Sequence, residues 1–89
     1  MTMDNLEKCF KAAQEKNANY VAVSIMMPGF EKPEIIINDK ENINSKLEYY
    51  KKAYNEDLTL KTFNQIKIVG FTYGDTLSDI EADMNNYTN

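Results

Sequence analysis

The stretch "YVAVSIMMPGFEKPEIIIN", Tyr20 to Asn38, does most to limit how this chain folds. Two short runs rich in β-branched residues flank a connection that carries two prolines and a glycine. Val21, Val23 and Ile25 alternate with Tyr20, Ala22, Ser24 and Met26, the period of a strand running Tyr20 to Met27. Pro28-Gly29 signals a type II turn, and Pro33 sets the start of a second strand, Glu34 to Asn38. "EIIIN" suits either a doubly covered central strand or a tight hairpin partner. The two strands are expected to form an antiparallel hairpin.

Helical periodicity lies on both sides. Leu6, Cys9, Phe10 and Ala13 share one face of a helix expected from Asn5 to Asn17. Asp4 and Glu7 have capping-box spacing, and Asn17 and Asn19 suit the left-handed exit. After the hairpin, "NDKE" has the same capping-box spacing. It predicts a helix over Asp39 to Asn55 that buries Ile43, Leu47, Tyr50 and Tyr54 and leaves Tyr49 half exposed. "DLTLK" predicts a brief edge strand with Leu58 and Leu60 on one face, and "TFNQ" a turn. Ile66 to Tyr73 is the longest strand expected. Ile66, Ile68, Gly70 and Thr72 fall on one face, and Lys67, Val69, Phe71 and Tyr73 on the other. Gly70 marks a bulge or a close approach. A last helix is expected from Leu77 to Asn85, opened by Thr76 and Asp79 and burying Leu77, Ile80 and Met84. Asp79, Ala82, Asp83 and Asn86 face outward, and "NNYTN" frays.

The order is therefore α-β-β-α-(β)-β-α. It predicts an α+β, two-layer sandwich with a small mixed or antiparallel sheet of three or four strands and two or three helices. The first two helices are expected on one face and the third at the sheet end. The 89 residues make one domain, residues 1–89, with a small core.

Composition removes several function classes. The chain has one cysteine, Cys9, and no histidine. That leaves no intrachain disulfide, no histidine-based triad and too few soft ligands for zinc. Cys9 lies on the buried stripe with nothing to activate it, so it reads as a core residue. No phosphate-binding glycine motif occurs. The expectation is a protein that is not an enzyme and has no catalytic residue, cofactor or metal. Asp75, Asp79 and Asp83 lie in series along a straight helix, spaced about 6 Å apart along its axis, a poor cage for calcium. No apolar run approaches bilayer length, so no membrane contact is expected. "MTMDNLEKCF" has neither a basic nor an apolar leader region, so a cytoplasmic location is expected.

Charge is segregated. All ten positive charges are lysines, and ten acids balance them within residues 1–67. The net charge of −4 arises entirely from Asp75, Asp79, Glu81 and Asp83. A solvated helix with first-turn acids suited to its dipole accounts for this, and so does an interaction surface. Absence of arginine and the acidic balance argue against direct nucleic-acid binding. "KIVGFTYG" alternates aromatics as an RNA-stacking strand does, yet it lacks the basic context, and Phe71 and Tyr73 read as sheet residues. Protein binding is what remains. Tyr73, Asp75, Asp79, Asp83, Tyr49 and Phe30 are the candidate partner-binding residues, Tyr being enriched at interfaces. The expected partner is another protein with a basic, nucleic-acid-binding surface, on which the carboxylates stand in for phosphates. The alternative is a small-molecule or nucleotide-binding module, a homodimer, with a pocket lined by Tyr20, Tyr73 and backbone amides near Gly74.

In length, lysine-asparagine-isoleucine bias and the patches "PEIIIN" and "GFTYGD", the chain resembles small uncharacterised proteins of phages and mobile elements of low-GC Gram-positive bacteria. The resemblance implies an accessory role, such as antagonism of a host defence protein by direct binding, as acidic anti-CRISPR proteins practise. It carries over no functional residue.

Overall fold

A four-stranded, fully antiparallel sheet in the order β2-β1-β4-β3 organises the chain. Its computed structural model describes the backbone of residues 1–88 and the side chains of residues 1–84. The elements are α1 (Met3–Glu15), β1 (Tyr20–Met26), β2 (Glu34–Asp39), a 3-10 turn (Lys40–Asn42), α2 (Ile43–Ala53), β3 (Thr59–Leu60), β4 (Phe63–Gly74) and α3 (Leu77–Thr88). The α+β class and the element order are as the sequence predicts.

The hairpin forms as its turn chemistry requires. Gly29 takes φ +85, the left-handed value that a type II turn needs at its third residue. Strand β2 is the hairpin partner at the sheet edge, paired with β1 from Tyr20–Asp39 to Ile25–Glu34. β1 is central, and its alternation divides two cores. Val21, Val23 and Ile25 join Leu6, Phe10 and Ala13 of α1 and Ile43, Leu47 and Tyr50 of α2 in the main core. Ala22 faces the other way and packs with Ile80 and Met84 of α3. α1 and α2 thus form one layer on the sheet, as expected. α3 does not sit at the sheet end; it covers part of the second face, over β1 and β4.

Strand β4 corrects the simple alternation. Ser24 pairs with Gly70 but Ile25 pairs with Ile68, so Val69 is an extra residue, a β-bulge. One inserted residue exchanges the faces beyond it. Ile66 and Ile68 before the bulge, and Phe71 and Tyr73 after it, all pack on the main core. Gly70, Thr72 and Gly74 pair with Ser24, Ala22 and Tyr20, on the α3 side. Gly74 is where the helix comes closest. A Cβ there would meet the Cβ of Asp79 at 3.1 Å and Cδ1 of Ile80 at 3.5 Å.

Several boundaries differ from the expectation. The α1 cap is Thr2, not Asp4: the Thr2 side chain accepts from the Asn5 N–H and Asn5 Oδ1 accepts from the Thr2 N–H at 2.9 Å. Asp4 lies a position inside the helix. Asn17 takes φ 57, so its left-handed exit is as expected. Ahead of α2, Asp39 makes no capping bond to the backbone; its Oδ1 accepts from Asn42 Nδ2 at 2.8 Å and a 3-10 turn precedes the helix. Ile43, Leu47, Tyr50 and Tyr54 are all buried. "TFNQ" is not a turn. The chain reverses at Lys61-Thr62, and β4 begins at Phe63. Leu58 takes φ 69 and is fully buried, so Leu58 and Leu60 do not continue one strand. Leu77 is exposed, and the buried stripe of α3 begins at Ile80. Helix α3 extends through Thr88, past the Asn85 expected; of the segment expected to fray, Asn89 lies outside the described residues.

Candidate functional site

The six candidate residues fall on separate surfaces. Asp75, Asp79 and Asp83 come together along α3 and the turn before it, and all three are exposed. Thr76 opens the helix by accepting from the Asp79 N–H at 3.1 Å. Asn19 Nδ2 donates to the Asp75 carbonyl oxygen at 3.0 Å, fixing the turn to the start of β1. Thr72 Oγ1 of β4 donates to Asp83 Oδ2 at 3.0 Å. Asp83 is therefore a tether between helix and sheet rather than a purely outward group. Asp79 lies one turn before it, against Gly74. The acids line the flank of α3 that borders β4. Glu81 projects about 200° around the axis from Asp79, toward the other flank.

Tyr73 is on the opposite side of the sheet, half-buried against the main core, with Lys16 Nζ 5.6 Å from its ring centroid. Tyr49 projects from α2, its ring 4.9 Å from Lys46 Nζ. Phe30 is 62% exposed at the hairpin tip. That tip is at the far end of β1 from Asp75, roughly 20 Å along the strand. Tyr20 and Tyr73 occupy neighbouring strands but opposite faces, because Tyr20 packs with Ala22 and Tyr73 with the main core. No pocket opens between them or elsewhere among the described residues.

Charge separation persists in three dimensions. Among the described residues the ion pairs are Lys8–Asp4 at 3.1 Å, Lys11–Glu7 at 3.4 Å and Lys51–Glu7 at 2.8 Å. None reaches Asp75, Asp79, Glu81 or Asp83. Hydrogen bonds from Lys51, then Lys11, hold the Glu7 carboxyl below its usual value. Burial pushes the Cys9 thiol up to about 11, which keeps it protonated and weakly nucleophilic near neutrality. No group of three or more Cys, Asp or Glu side chains converges to hold a metal among the described residues. No helix among them is long and apolar enough to cross a membrane.

Beside the acids runs an open strand edge. β3 pairs with β4 only from Phe63 to Lys67, and Ile68 N–H donates to the Leu58 carbonyl oxygen at 2.9 Å. Beyond Ile68 no strand among the described residues pairs with that edge of β4. Thr72, Asn19 and this edge carry no mark in the sequence. Each depends on strand pairing across long chain separations, for which local periodicity carries no signal. No known protein family, curated protein or solved structure matches the chain.

Proposed function

We propose that this is a non-catalytic binding protein that docks a basic, extended segment of another protein on the β4–α3 flank. The observation that carries the reading is the row Asp75, Asp79 and Asp83, free of ion pairs among the described residues and set beside the open edge of β4. An extended segment adding to that edge gains main-chain hydrogen bonds, and its lysines or arginines meet the carboxylates. Basic segments of that kind also hold nucleic acid in the proteins that handle it. The reading therefore includes inhibition of such a protein by a phage-encoded, anti-CRISPR-like accessory protein in the cytoplasm.

The direct test is a titration of isotope-labelled protein with a lysine-rich extended peptide, followed by amide shifts. Shifts should concentrate at Val69–Gly74 and Asp75–Asp83 and weaken as salt rises. Shifts spread evenly over the surface, or centred elsewhere, overturn the reading. In a host pull-down, Asp75→Lys/Asp79→Lys should lose a partner that the wild type retains. Equal recovery by both argues against the acidic flank. These two positions are preferred to Asp83, whose replacement also removes the bond to Thr72.

A further inference from the structure

The other edge of the sheet has a different character. β2 is paired on one side only, and its interior, "IIIN", contains no lysine, proline or bulge, the usual devices that blunt an edge. Ile36 packs toward the main core, while Ile35 and Ile37 point to the second face, each 37% exposed. Among the described residues the packing of α3 is on β1 and β4.

Self-pairing of this edge has one well-matched register. Antiparallel partners share a face, so a two-fold axis must pass through a residue pair of the same parity. Centred on Ile36, the pairing sets Ile35 against Ile37 twice on the second face and Ile36 against Ile36 on the first. Glu34 then meets Asn38 of the second copy. Centred on Ile35, Glu34 opposes Ile36. Centred on Ile37, Ile35 opposes Asp39. Each of these alternatives sets an isoleucine against a charge.

We infer that β2 is a homodimerisation edge, joining two copies through an antiparallel β2–β2 contact centred on Ile36 into one continuous sheet. The inference stands apart from the proposed docking flank, which lies across the sheet. Two short strands and six isoleucines bury less than the ~800 Å² per partner of a standard interface, so the dimer is a weak one.

Sedimentation velocity of the intact chain, from low micromolar to millimolar concentration, tests this. The wild type should pass from monomer to dimer. Ile37→Lys sets a charge at each end of the contact and should raise the dissociation constant by about tenfold or more, with unchanged circular dichroism. A wild type that stays monomeric at millimolar concentration overturns the inference. So does a dimer that folded Ile37→Lys leaves equally tight.

Discussion

Tyr50 carries the largest polar mismatch of the main core. Its ring is 1% exposed and packs edge-on against Phe10 and Tyr54, at centroid separations of 6.1 and 5.7 Å. Its hydroxyl has no hydrogen-bond partner among the described residues, and burial raises its pKa. A buried, unpaired hydroxyl costs on the order of 1–3 kcal/mol, and its removal leaves the ring contacts intact. Tyr50→Phe should therefore hold or raise stability, by up to about 1 kcal/mol in a denaturant titration. Clear destabilisation would reveal a bonding partner. Cys9 supplies a second measurement. With its thiol pushed up to about 11, it should alkylate slowly in the native protein near pH 8 and rapidly once denatured. Equal rates would place the thiol in solvent. Leu58 combines a left-handed backbone with complete burial. Such strain in a leucine persists only where the surroundings reward it. Leu58→Ala should cost roughly 2–4 kcal/mol through the cavity it leaves.

Elements were legible where pattern and burial agree. The stripes of α1 and α2, the β1–β2 hairpin and the Thr76 cap of α3 all follow from local spacing. What spacing misses is the Val69 bulge, because an alternating run has no mark for an inserted residue beyond Gly70 itself. The same gap hid the candidate flank: the acids are written in sequence, but Thr72 reaches Asp83 only once the bulge has turned it toward α3. Deleting Val69 should restore strict alternation and turn either Ile66 and Ile68 or Phe71 and Tyr73 out of the main core. The variant should lose cooperative unfolding. A cooperative, native-like melt would show that the bulge is dispensable. Between helices, Glu7 joins α1 to α2 through Lys51. Its folded pKa lies below the ordinary 4.5. The associated stability is thus present above that value and lost as pH falls through the folded one. A pH series of thermal melts should show a loss on the acid side that Glu7→Gln reduces. Identical acid limbs would mean the bond adds nothing.

Among the described residues, packing is unevenly shared between the two faces of the sheet. The main core gathers α1, α2 and all four strands, whereas the described contacts of α3 centre on Ala22, Ile80 and Met84, with Tyr20 at their margin. Gly74 brings the helix near the sheet but adds no side-chain contact. Amide exchange should therefore show α3 opening with less free energy than β1 or α1, which open only with the global transition. Equal protection throughout would mean that α3 belongs to the same cooperative unit. An α3 that opens separately couples the acidic flank to a local equilibrium, and a partner docked there would raise its protection by mass action.

The central position of β1 has a consequence for how the chain is made. Its neighbour on one side, β2, follows within a few residues, but on the other it must wait for Phe63–Gly74. During synthesis the hairpin and both early helices emerge while that side of "YVAVSIM" has no strand to receive. Until β4 leaves the ribosome, the most apolar strand of the protein is an exposed edge, and crowded nascent chains would meet one another there first.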